Sequence, residues 1–454
     1  MAKRITAILM LGDMMFAVLS LYAASFLRFG TPAQIQVIVS QEGTKSFVFV
    51  AVLIFSSFLT EIYTNEIKRG KKEIILRVCS GLAVSFLILS ALYYMMPGIM
   101  FGRRILFLSL IVFGALQMVW HIGYTLCLNI PGMAKRVLIL GTGPLARRIG
   151  EIIAATNHRH LLSGYVSLAS ESVHVPAGSV LGNINGLVET IKEEKVHKLV
   201  VSLSERRGIF PLEDVLNCKF NGVEVIDAPS FYEELTGKLL LENMNPSSFI
   251  FCDGFKLNTA LKIYKRVFDM FFSVITIILV MPLIPIIALM IKLDSRGPVF
   301  FRQVRVGAKE RQFVLYKFRT MRQDAESTTG AVWSQKNDPR ITRLGRFLRK
   351  TRLDEIPQLY NVLRGDMSFI GPRPERPEFI EALKELIPYY SERHFVKPGI
   401  TGWAQVKYAY GSSIEDTVEK LRYDLFYIKH VSLFLDLLII LETIKVVMFG
   451  RGGR

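Results

Sequence analysis

Four apolar runs in the first 128 residues constrain the fold of this chain more than any other feature. They cover residues 5–27, 47–59, 74–96 and 105–128. A membrane-spanning helix needs roughly 20 apolar residues, so three runs are long enough and the second is marginal. A signal peptide has one short apolar core, which four successive runs do not fit. The sequence therefore predicts a four-helix transmembrane bundle over residues 1–130.

Basic residues near the ends of these runs indicate how the bundle is oriented. The denser clusters precede the first run, separate the second from the third, and follow the fourth: Lys3, Arg4, Lys68, Arg69, Lys71, Lys72, Lys135 and Arg136. A sparser set faces the other side: Arg28, Lys45, Arg103 and Arg104. Because cytoplasmic loops are enriched in Lys and Arg, both ends of the bundle are predicted to be cytoplasmic.

Asp13 lies inside the first apolar run, where an ionisable side chain is costly. A functional role is one interpretation. A pair with Arg28 or another polar contact between helices is the other, and the sequence leaves both open.

Residues 131–258 lack the long apolar runs of the N-terminal region, and this change begins after Pro131-Gly132. A short strand pattern at 136–140 leads into Gly141-Thr142-Gly143 and a helical pattern through Ala155. This GxGxxA order between strand and helix is typical of dinucleotide-binding loops, where a phosphate lies at the helix N-terminus. Further strand patterns at 198–202 and 223–226, with a helix at 186–194, predict a Rossmann-like open α/β sheet.

Gly141 and Gly143 are accordingly candidate nucleotide-binding residues. Glu171 is a weak candidate for the acidic partner of a ribose. The alternative is a structural strand–helix turn that needs glycines but binds nothing.

The chain is both apolar and strongly basic, with 51% hydrophobic residues and a net charge of +17. From residue 260 onward there are 32 Lys and Arg against 20 Asp and Glu. Such a composition is typical of a nucleic-acid binder or of a membrane protein with basic cytoplasmic surfaces. The four cysteines lack CxxC spacing, which indicates a reducing compartment and no zinc site.

A further apolar segment, residues 270–291, contains Pro282 and Pro285. Two interior prolines bend a helix. Basic residues on both sides, among them Lys265, Arg266 and Lys292, disfavour a straight crossing. We predict a re-entrant membrane helix over 264–292, with a fifth spanning helix as the alternative. The last apolar segment, residues 432–448, contains internal charges and is predicted to lie along the membrane surface.

The region after the bent segment is rich in arginine. Arg343, Arg346, Arg349 and Arg352 are spaced by three, so a helix would place them on one broad face. Such a face is commonly solvated or turned to lipid headgroups, and it also suits phosphate, which Arg binds with two donors. We expect no nucleic-acid partner, because the region directly follows a membrane-embedded segment.

Asp354 and Glu355 are adjacent acids in this basic region. Thr351 and Asp354 match a capping box, which would give the acids a purely structural role. Alternatively, surrounding arginines hold Asp354 ionised, and an ionised Asp can attack phosphorus or bind Mg²⁺. Arg373, between two prolines, is suited to a fixed phosphate donor.

Five motifs in this order resemble the bacterial polyprenyl-phosphate sugar-1-phosphate transferases. They are KFRTM (317–321), LDEIPQ (353–358), RGDMS (364–368), GPRP (371–374) and KPGITGWAQ (397–405). The helical N-terminus and the α/β middle region look like the large polytopic branch of that family, so the resemblance covers the whole chain. Many members have Asn-Gly after the last motif, where this chain has KYAYG (407–411), which makes the sugar less certain.

The resemblance implies a mainly helical catalytic domain over 259–454, on the cytoplasmic face of a bacterial inner membrane. It assigns Asp354 as the nucleophile toward a UDP-sugar and Glu355 as the second acid. Lys317, Arg349 and Arg373 would hold phosphate, and Mg²⁺ would be the metal, bound at Asp354. The products would be UMP and a polyprenyl-diphosphate-sugar that initiates exopolysaccharide, capsule or O-antigen synthesis.

Two rival functions remain at this point. A membrane-anchored nucleotide-sugar epimerase or dehydratase would need a Tyr-x-x-x-Lys motif, and residues 147–258 contain none. A non-catalytic scaffold for polysaccharide assembly would not need the intact Asp354-Glu355 pair. The sugar and the formation of a homodimer are left open by the sequence.

Overall fold

The computed structural model describes most of the chain. The described residues are 2–30, 43–63, 71–128, 134–156, 160–168, 171–203, 210–244, 249, 254–323, 325, 338–408, 411 and 413–448. They form two compact units, Met1–Glu234 and Leu235–Arg454. The predicted boundary at Pro131-Gly132 and the cluster residues Lys68 and Arg69 lie outside the described residues, and the division into three domains stays a prediction.

The N-terminal region consists of apolar helices. They are α1 (Ala2–Phe29), α2 (Gly43–Leu59), α3 (Lys71–Met95) and α4 (Arg103–Leu128). Three of them are long and apolar enough to cross a membrane, whereas α2 has only 17 residues. Phe49, Leu53, Leu89 and Phe113 form part of their shared core. The predicted apolar helices are therefore present, and the second is the short one.

Asp13 is completely buried among these helices. Its Oδ2 accepts hydrogen bonds from the Tyr63 hydroxyl at 2.6 Å and the Gln117 amide at 2.7 Å, and lies 3.2 Å from His121 Nε2. A polar contact between helices is thus what Asp13 makes, and no pair with Arg28 occurs in the described residues.

The next region is a parallel α/β sheet. Its strands are β1 (Lys135–Leu140), β2 (His160–Ser167), β3 (Val180–Asn183), β4 (Lys198–Val201) and β5 (Glu224–Asp227). All pairs are parallel and the order is β3-β2-β1-β4-β5. The helices are α5 (Pro144–Thr156), α6 (Leu187–Glu193), α7 (Leu212–Phe220) and α8 (Ala228–Thr236). The sequence prediction of an α/β region is confirmed, because short apolar runs form the buried parts of β1 and β4.

The C-terminal unit is mainly helical. Its helices are α9 (Thr259–Val280), α10 (Leu283–Asp294), α11 (Arg343–Lys350), α12 (Gln358–Arg364), α13 (Pro377–Leu386), α14 (Trp403–Lys407), α15 (Ile414–Lys429) and α16 (Leu433–Met448). An antiparallel hairpin joins β6 (Phe300–Val306) to β7 (Gln312–Phe318), and a short parallel pair joins β8 (Ser368–Ile370) to β9 (Gly399–Thr401). Trp403, Tyr390 and Leu425 belong to its main core.

Helices α9 and α10 are bent by 63° at a short break. Pro282 lies in this break, where its missing N–H interrupts helical hydrogen bonding. The bend predicted from the prolines is therefore present. Whether the pair enters and leaves the same membrane face stays a prediction.

Candidate active site

Asp354 and Glu355 lie in a tight turn between α11 and α12. Arg352 has a left-handed backbone (φ 59°), which ends the helical path after α11, and residues 353–355 form a single 3₁₀ turn. The Thr351 hydroxyl donates to the Phe347 carbonyl at 2.9 Å and so satisfies the end of α11. The predicted capping box from Thr351 to Asp354 is therefore wrong, because Thr351 serves the preceding helix.

Glu355 is the anion that holds the local cations together. Its Oε1 accepts from Arg373 at 2.9 Å, from Lys317 at 3.3 Å and from Arg352 at 3.4 Å. The Glu355 side chain is 6% exposed. Burial alone would raise the pKa of Glu355, but Arg373, Lys317 and Arg352 outweigh burial and hold this pKa well below its usual range.

Asp354 is equally buried but lacks such contacts. Within the described residues its carboxylate forms no hydrogen bond or ion pair. Burial raises the pKa of Asp354 above its ordinary value, and Lys317 opposes that rise. The cations that were expected to stabilise an ionised Asp354 therefore stabilise mainly the ionised Glu355.

Lys317 reaches this site from strand β7. Asn361 of α12 fixes the strand, since its side-chain amide donates to the Val314 carbonyl at 2.7 Å and its Oδ1 accepts from the Tyr316 N–H at 3.2 Å. Burial lowers the pKa of the Lys317 amine to about 8, although Glu355 opposes this change. The hairpin thus presents a lysine that loses its proton unusually easily.

Arg373 is positioned by two motif loops that approach each other closely. Ser368 and Ile370 of β8 pair with Gly399 and Thr401 of β9. A Cβ at Gly371 would lie 2.3 Å from the Lys397 carbonyl oxygen, so only glycine permits this approach. The sequence motifs GPRP and KPGIT are therefore halves of one structural unit.

All five residues predicted for catalysis or phosphate binding line one cavity of about 520 Å³. They are Lys317, Arg349, Asp354, Glu355 and Arg373. Arg349 is oriented by a 2.9 Å hydrogen bond from its Nε to the Thr320 hydroxyl. The cavity is thus a basic chamber in which the Asp354 carboxylate has no hydrogen-bond partner among the described residues, and such a chamber suits a substrate that carries phosphate.

The predicted arginine stripe does not act as one face. Arg349 and Arg352 line the cavity, whereas Arg343 and Arg346 are exposed on α11 and do not line it. Steps of three residues drift around a helix with 3.6 residues per turn, and the left-handed backbone at Arg352 turns the chain further. Two of the four arginines are therefore exposed and two line the cavity, and phosphate binding by the latter stays a prediction.

Helix α9 of the bent pair contacts the elements next to Asp354 and Glu355, two residues that are called the dyad below. Arg266 of α9 donates to the Val362 and Leu363 carbonyls, each at 2.7 Å, near the end of α12. Asp269 accepts from the Ser368 hydroxyl and the Phe369 N–H, each at 2.8 Å. Lys265 donates to Tyr427 at 2.9 Å. Residues that the sequence places next to an apolar segment therefore bind α12, β8 and α15.

Several structural residues of this site escaped the sequence analysis. The buried Arg393 donates to the Tyr390 hydroxyl at 2.6 Å and to Asp424 at 2.9 Å, which joins α15 to the wall of the cavity. In the sequence, Asp424 is an acid within an amphipathic helix, a feature that could have indicated a buried polar contact. Asn361 is likewise a polar residue within an apolar stretch.

Gly141 and Gly143 belong to the other unit and form a loop after β1. Gly141 has φ 121°, and a Cβ there would lie 2.6 Å from the Ser202 carbonyl oxygen. The N–H of Thr142 donates to Glu171 Oε2 at 2.8 Å. Glu171 therefore contacts the loop amide itself, at the place where a phosphate was expected.

The comparisons with known proteins agree with this geometry. Residues 260–450 match the family described as bacterial sugar transferase. The chain is 42% identical over 238 residues to a UDP-N-acetylgalactosamine-undecaprenyl-phosphate N-acetylgalactosaminephosphotransferase of Aeromonas hydrophila, covering 52% of this chain and 55% of that protein. It is 34% identical over 330 residues to an undecaprenyl-phosphate glucose phosphotransferase of Komagataeibacter xylinus, covering 71% and 60%.

A shorter relative is almost wholly covered. The "Exopolysaccharide production protein PSS" of Rhizobium leguminosarum bv. phaseoli is 41% identical over 187 residues, which are 40% of this chain and 94% of that protein. By contrast, the chain spans just over half the length of the two longer relatives. The matched region contains the carboxylate pair and the three basic residues that are predicted to bind phosphate, and the chain belongs to the bacterial sugar transferase family.

Proposed function

We propose that this protein transfers a sugar-1-phosphate from a UDP-sugar to polyprenyl phosphate through a covalent phosphosugar–Asp354 intermediate. One observation carries the proposal: within the described residues the buried Asp354 carboxylate forms no hydrogen bond or ion pair, whereas its neighbour Glu355 binds three cationic side chains. A nucleophile needs such freedom, and the surrounding cations suit the phosphates of donor and acceptor.

In the first step, an Asp354 oxygen attacks the phosphorus attached to the sugar. A new oxygen–phosphorus bond forms, the bond to the bridging oxygen breaks, and UMP leaves with that electron pair. Lys317, Arg349 and Arg373 line the cavity as donors to the phosphate oxygens. Phosphoryl transfer depends mainly on positioning and charge neutralisation, which these residues supply.

In the second step, a phosphate oxygen of the polyprenyl phosphate attacks the same phosphorus. The bond to Asp354 breaks and its electron pair returns to the carboxylate, which restores the enzyme. Glu355 stays ionised throughout and keeps the cations in place. Two sequential displacements predict ping-pong kinetics.

Mg²⁺ is the proposed metal. Asp354 and the second oxygen of Glu355 would hold it together with phosphates of the donor, because Mg²⁺ commonly uses one or two carboxylates and substrate phosphates. When bound, Mg²⁺ supplies charge neutralisation at the diphosphate. In such a basic cavity the protein alone repels a cation. We therefore expect UDP to tighten Mg²⁺ binding, a change that calorimetry with and without UDP measures.

The proposal places the protein in a bacterial inner membrane with the catalytic domain on the cytoplasmic face. The apolar helices α1 to α4 would form a four-helix transmembrane bundle, and three long spans support this. The bent pair α9–α10 would enter and leave one membrane face, which the 63° angle supports. An alkaline phosphatase fusion after Arg296 that is active outside the cytoplasm would contradict the re-entrant path.

The middle domain is proposed to be Rossmann-like. Its strand order β3-β2-β1-β4-β5 supports this, since the dinucleotide-binding fold has the same order. A phosphate at the Gly141–Gly143 loop would have to displace Glu171 from the Thr142 N–H. Binding of NAD or UDP-glucose to this region should therefore be stronger in Glu171→Gln, as measured by titration calorimetry.

The proposed transfer is tested by UMP release from a panel of UDP-sugars, with and without polyprenyl phosphate and Mg²⁺. The panel also identifies the sugar, for which glucose and N-acetylgalactosamine are the first choices. Asp354→Asn should abolish both turnover and the labelled phosphosugar adduct. Near-normal turnover in that variant would refute the nucleophile, and a conversion of the sugar without UMP release would favour an epimerase. No release from any donor would favour a scaffold.

A further inference from the structure

A second, smaller cavity lies directly behind the dyad. Its volume is about 140 Å³, and its lining is mostly apolar, with Leu359 from α12, Ile400 from β9 and Val447 from α16. Thr276 of the bent helix pair completes one wall, with its hydroxyl turned to its own helix at 2.7 Å from the Phe272 carbonyl oxygen. The cavity therefore offers apolar surface within the fold of the catalytic unit.

The two cavities share a wall. Arg352, Glu355 and Gln405 line both of them. Arg352 keeps a left-handed backbone at this wall, a conformation that is unfavourable for a non-glycine residue. Gln405 Oε1 is buried without a donor in the described part of the chain. The wall thus contains one residue with a left-handed backbone and one buried amide oxygen that could accept a hydrogen bond.

An amphiphile with one phosphate matches this arrangement. Its apolar chain would occupy the small cavity, and its phosphate would meet Arg352 at the shared wall. Beyond Thr276, helix α9 exposes Ile275, Ile278 and Leu279, so a chain longer than the cavity continues over apolar surface. Inorganic phosphate has no apolar part that could occupy the small cavity.

We propose that the small cavity holds the first isoprenoid units of the acceptor lipid and that Arg352 positions the acceptor phosphate for attack at Asp354. This inference rests on the proposed function and adds the acceptor's place to it. The acceptor reaches Asp354 through the wall opposite the donor, so the two substrates use different sides of the dyad. Filling the small cavity should then impair only the second step.

The test separates the two half-reactions. Thr276→Phe and Val447→Phe fill the cavity from two different helices, α9 and α16, and Ile263→Phe changes an exposed residue of α9 that lines neither cavity. The donor half-reaction is the burst of UMP from a UDP-sugar without acceptor. The acceptor half-reaction is turnover with undecaprenyl phosphate or with the short farnesyl phosphate.

Both filling variants should keep the UMP burst within twofold of the unchanged protein. Their KM for undecaprenyl phosphate and for farnesyl phosphate should rise about tenfold, which corresponds to losing contacts worth about 1.4 kcal/mol. Ile263→Phe should change neither quantity. An unchanged acceptor KM overturns the proposal, and so does a lost burst in both filling variants, because the cavity would then serve the donor.

A direct binding measurement separates this inference from the proposed function. Undecaprenyl phosphate should raise the Tm of the detergent-solubilised protein, and the filling variants should lose that shift. Dioleoyl phosphatidic acid, undecaprenol and inorganic phosphate should give smaller shifts. Equal protection by phosphatidic acid would indicate a general lipid site and overturn the isoprenoid assignment. A wild-type protein without any UMP burst refutes the proposed function, while this binding result stands separately.

Discussion

Asp354 and Glu355 are neighbours in the sequence, yet their surroundings differ. The Glu355 carboxylate accepts three cationic donors on one oxygen, and the Asp354 carboxylate has none in the described residues. Environments that separate two carboxyl pKa values commonly separate their roles. A carboxylate with a raised pKa is the more basic nucleophile. This division therefore supports Asp354 as the attacking group and Glu355 as the anchor.

Glu355→Gln tests the anchoring role. Removing this charge leaves Lys317 and Arg373 close together without their shared anion. Breaking a buried ion pair from one side costs about 3–5 kcal/mol, so the free energy of unfolding should fall by about that amount. Urea unfolding in detergent measures it. Glu381→Gln, at an exposed pair with Lys384, is the control and should change stability by less than about 0.5 kcal/mol. Equal stability of both variants would contradict the anchoring role.

Lys317 should give the enzyme an alkaline limit. Burial lowers its pKa to about 8, so the amine is cationic below that pH and neutral above it. The phosphate contact is therefore lost as the pH rises through about 8, and kcat/KM for the donor should fall there. Lys317→Arg stays cationic, and its profile should remain flat to a higher pH. The same alkaline limb in both proteins would exclude Lys317 as its source.

At the scale of elements, α9 stabilises α12 through Arg266. Two charge-assisted hydrogen bonds satisfy carbonyls in the last turn of the helix that follows the dyad. Arg266→Met should lower the free energy of unfolding by about 1.5–3 kcal/mol and reduce kcat about tenfold by loosening the turn at Asp354. Stopped-assay kinetics and urea unfolding measure both effects.

The matched control is Arg364→Met on α12 itself. Arg364 pairs with Asp366 at the surface, with 58% of its side chain exposed, so its removal should cost less than about 1 kcal/mol. If the two variants lose the same activity, the contribution of Arg266 to the dyad is refuted.

The same elements show which features a sequence can predict. The strands near Arg136 and Lys198 follow from short apolar runs, because burial on both faces leaves a local pattern. The strand near Glu224 also follows from such a run, although its residues are exposed or only partly buried. The inward contacts of Lys265 and Arg266 leave no such pattern in the sequence, because the position of a charged residue does not reveal which side of the helix it occupies. Both residues were used to argue against a straight membrane crossing, and their contacts within the fold could not be foreseen from that position. The carboxylate pair was predictable because its motif is local, whereas the sharing of cations by Glu355 depends on segments 18 to 38 residues away.

At the scale of the whole molecule, the described chemistry is concentrated in one unit. The cavity residues, the dyad and the bent helix pair all belong to Leu235–Arg454. That unit has its own apolar core, which includes Tyr390, Trp403 and Leu425. A relative covered to 94% by 187 residues of similarity also has little chain outside the shared region. The apolar helices and the α/β sheet are thus expected to be dispensable for the donor half-reaction.

A fragment of residues 235–454 tests this expectation. In detergent it should unfold cooperatively and release UMP from the donor that the full chain uses, with a rate within about tenfold, because the fragment retains every side chain that lines the cavity. The same fragment with Asp354→Asn is the control and should release none. A fragment that unfolds cooperatively but releases no UMP, beside an active full chain, would show that the first 234 residues take part in donor chemistry. Retained release would instead limit their contribution to membrane placement, regulation or assembly, and would make donor turnover a property of the C-terminal fold alone.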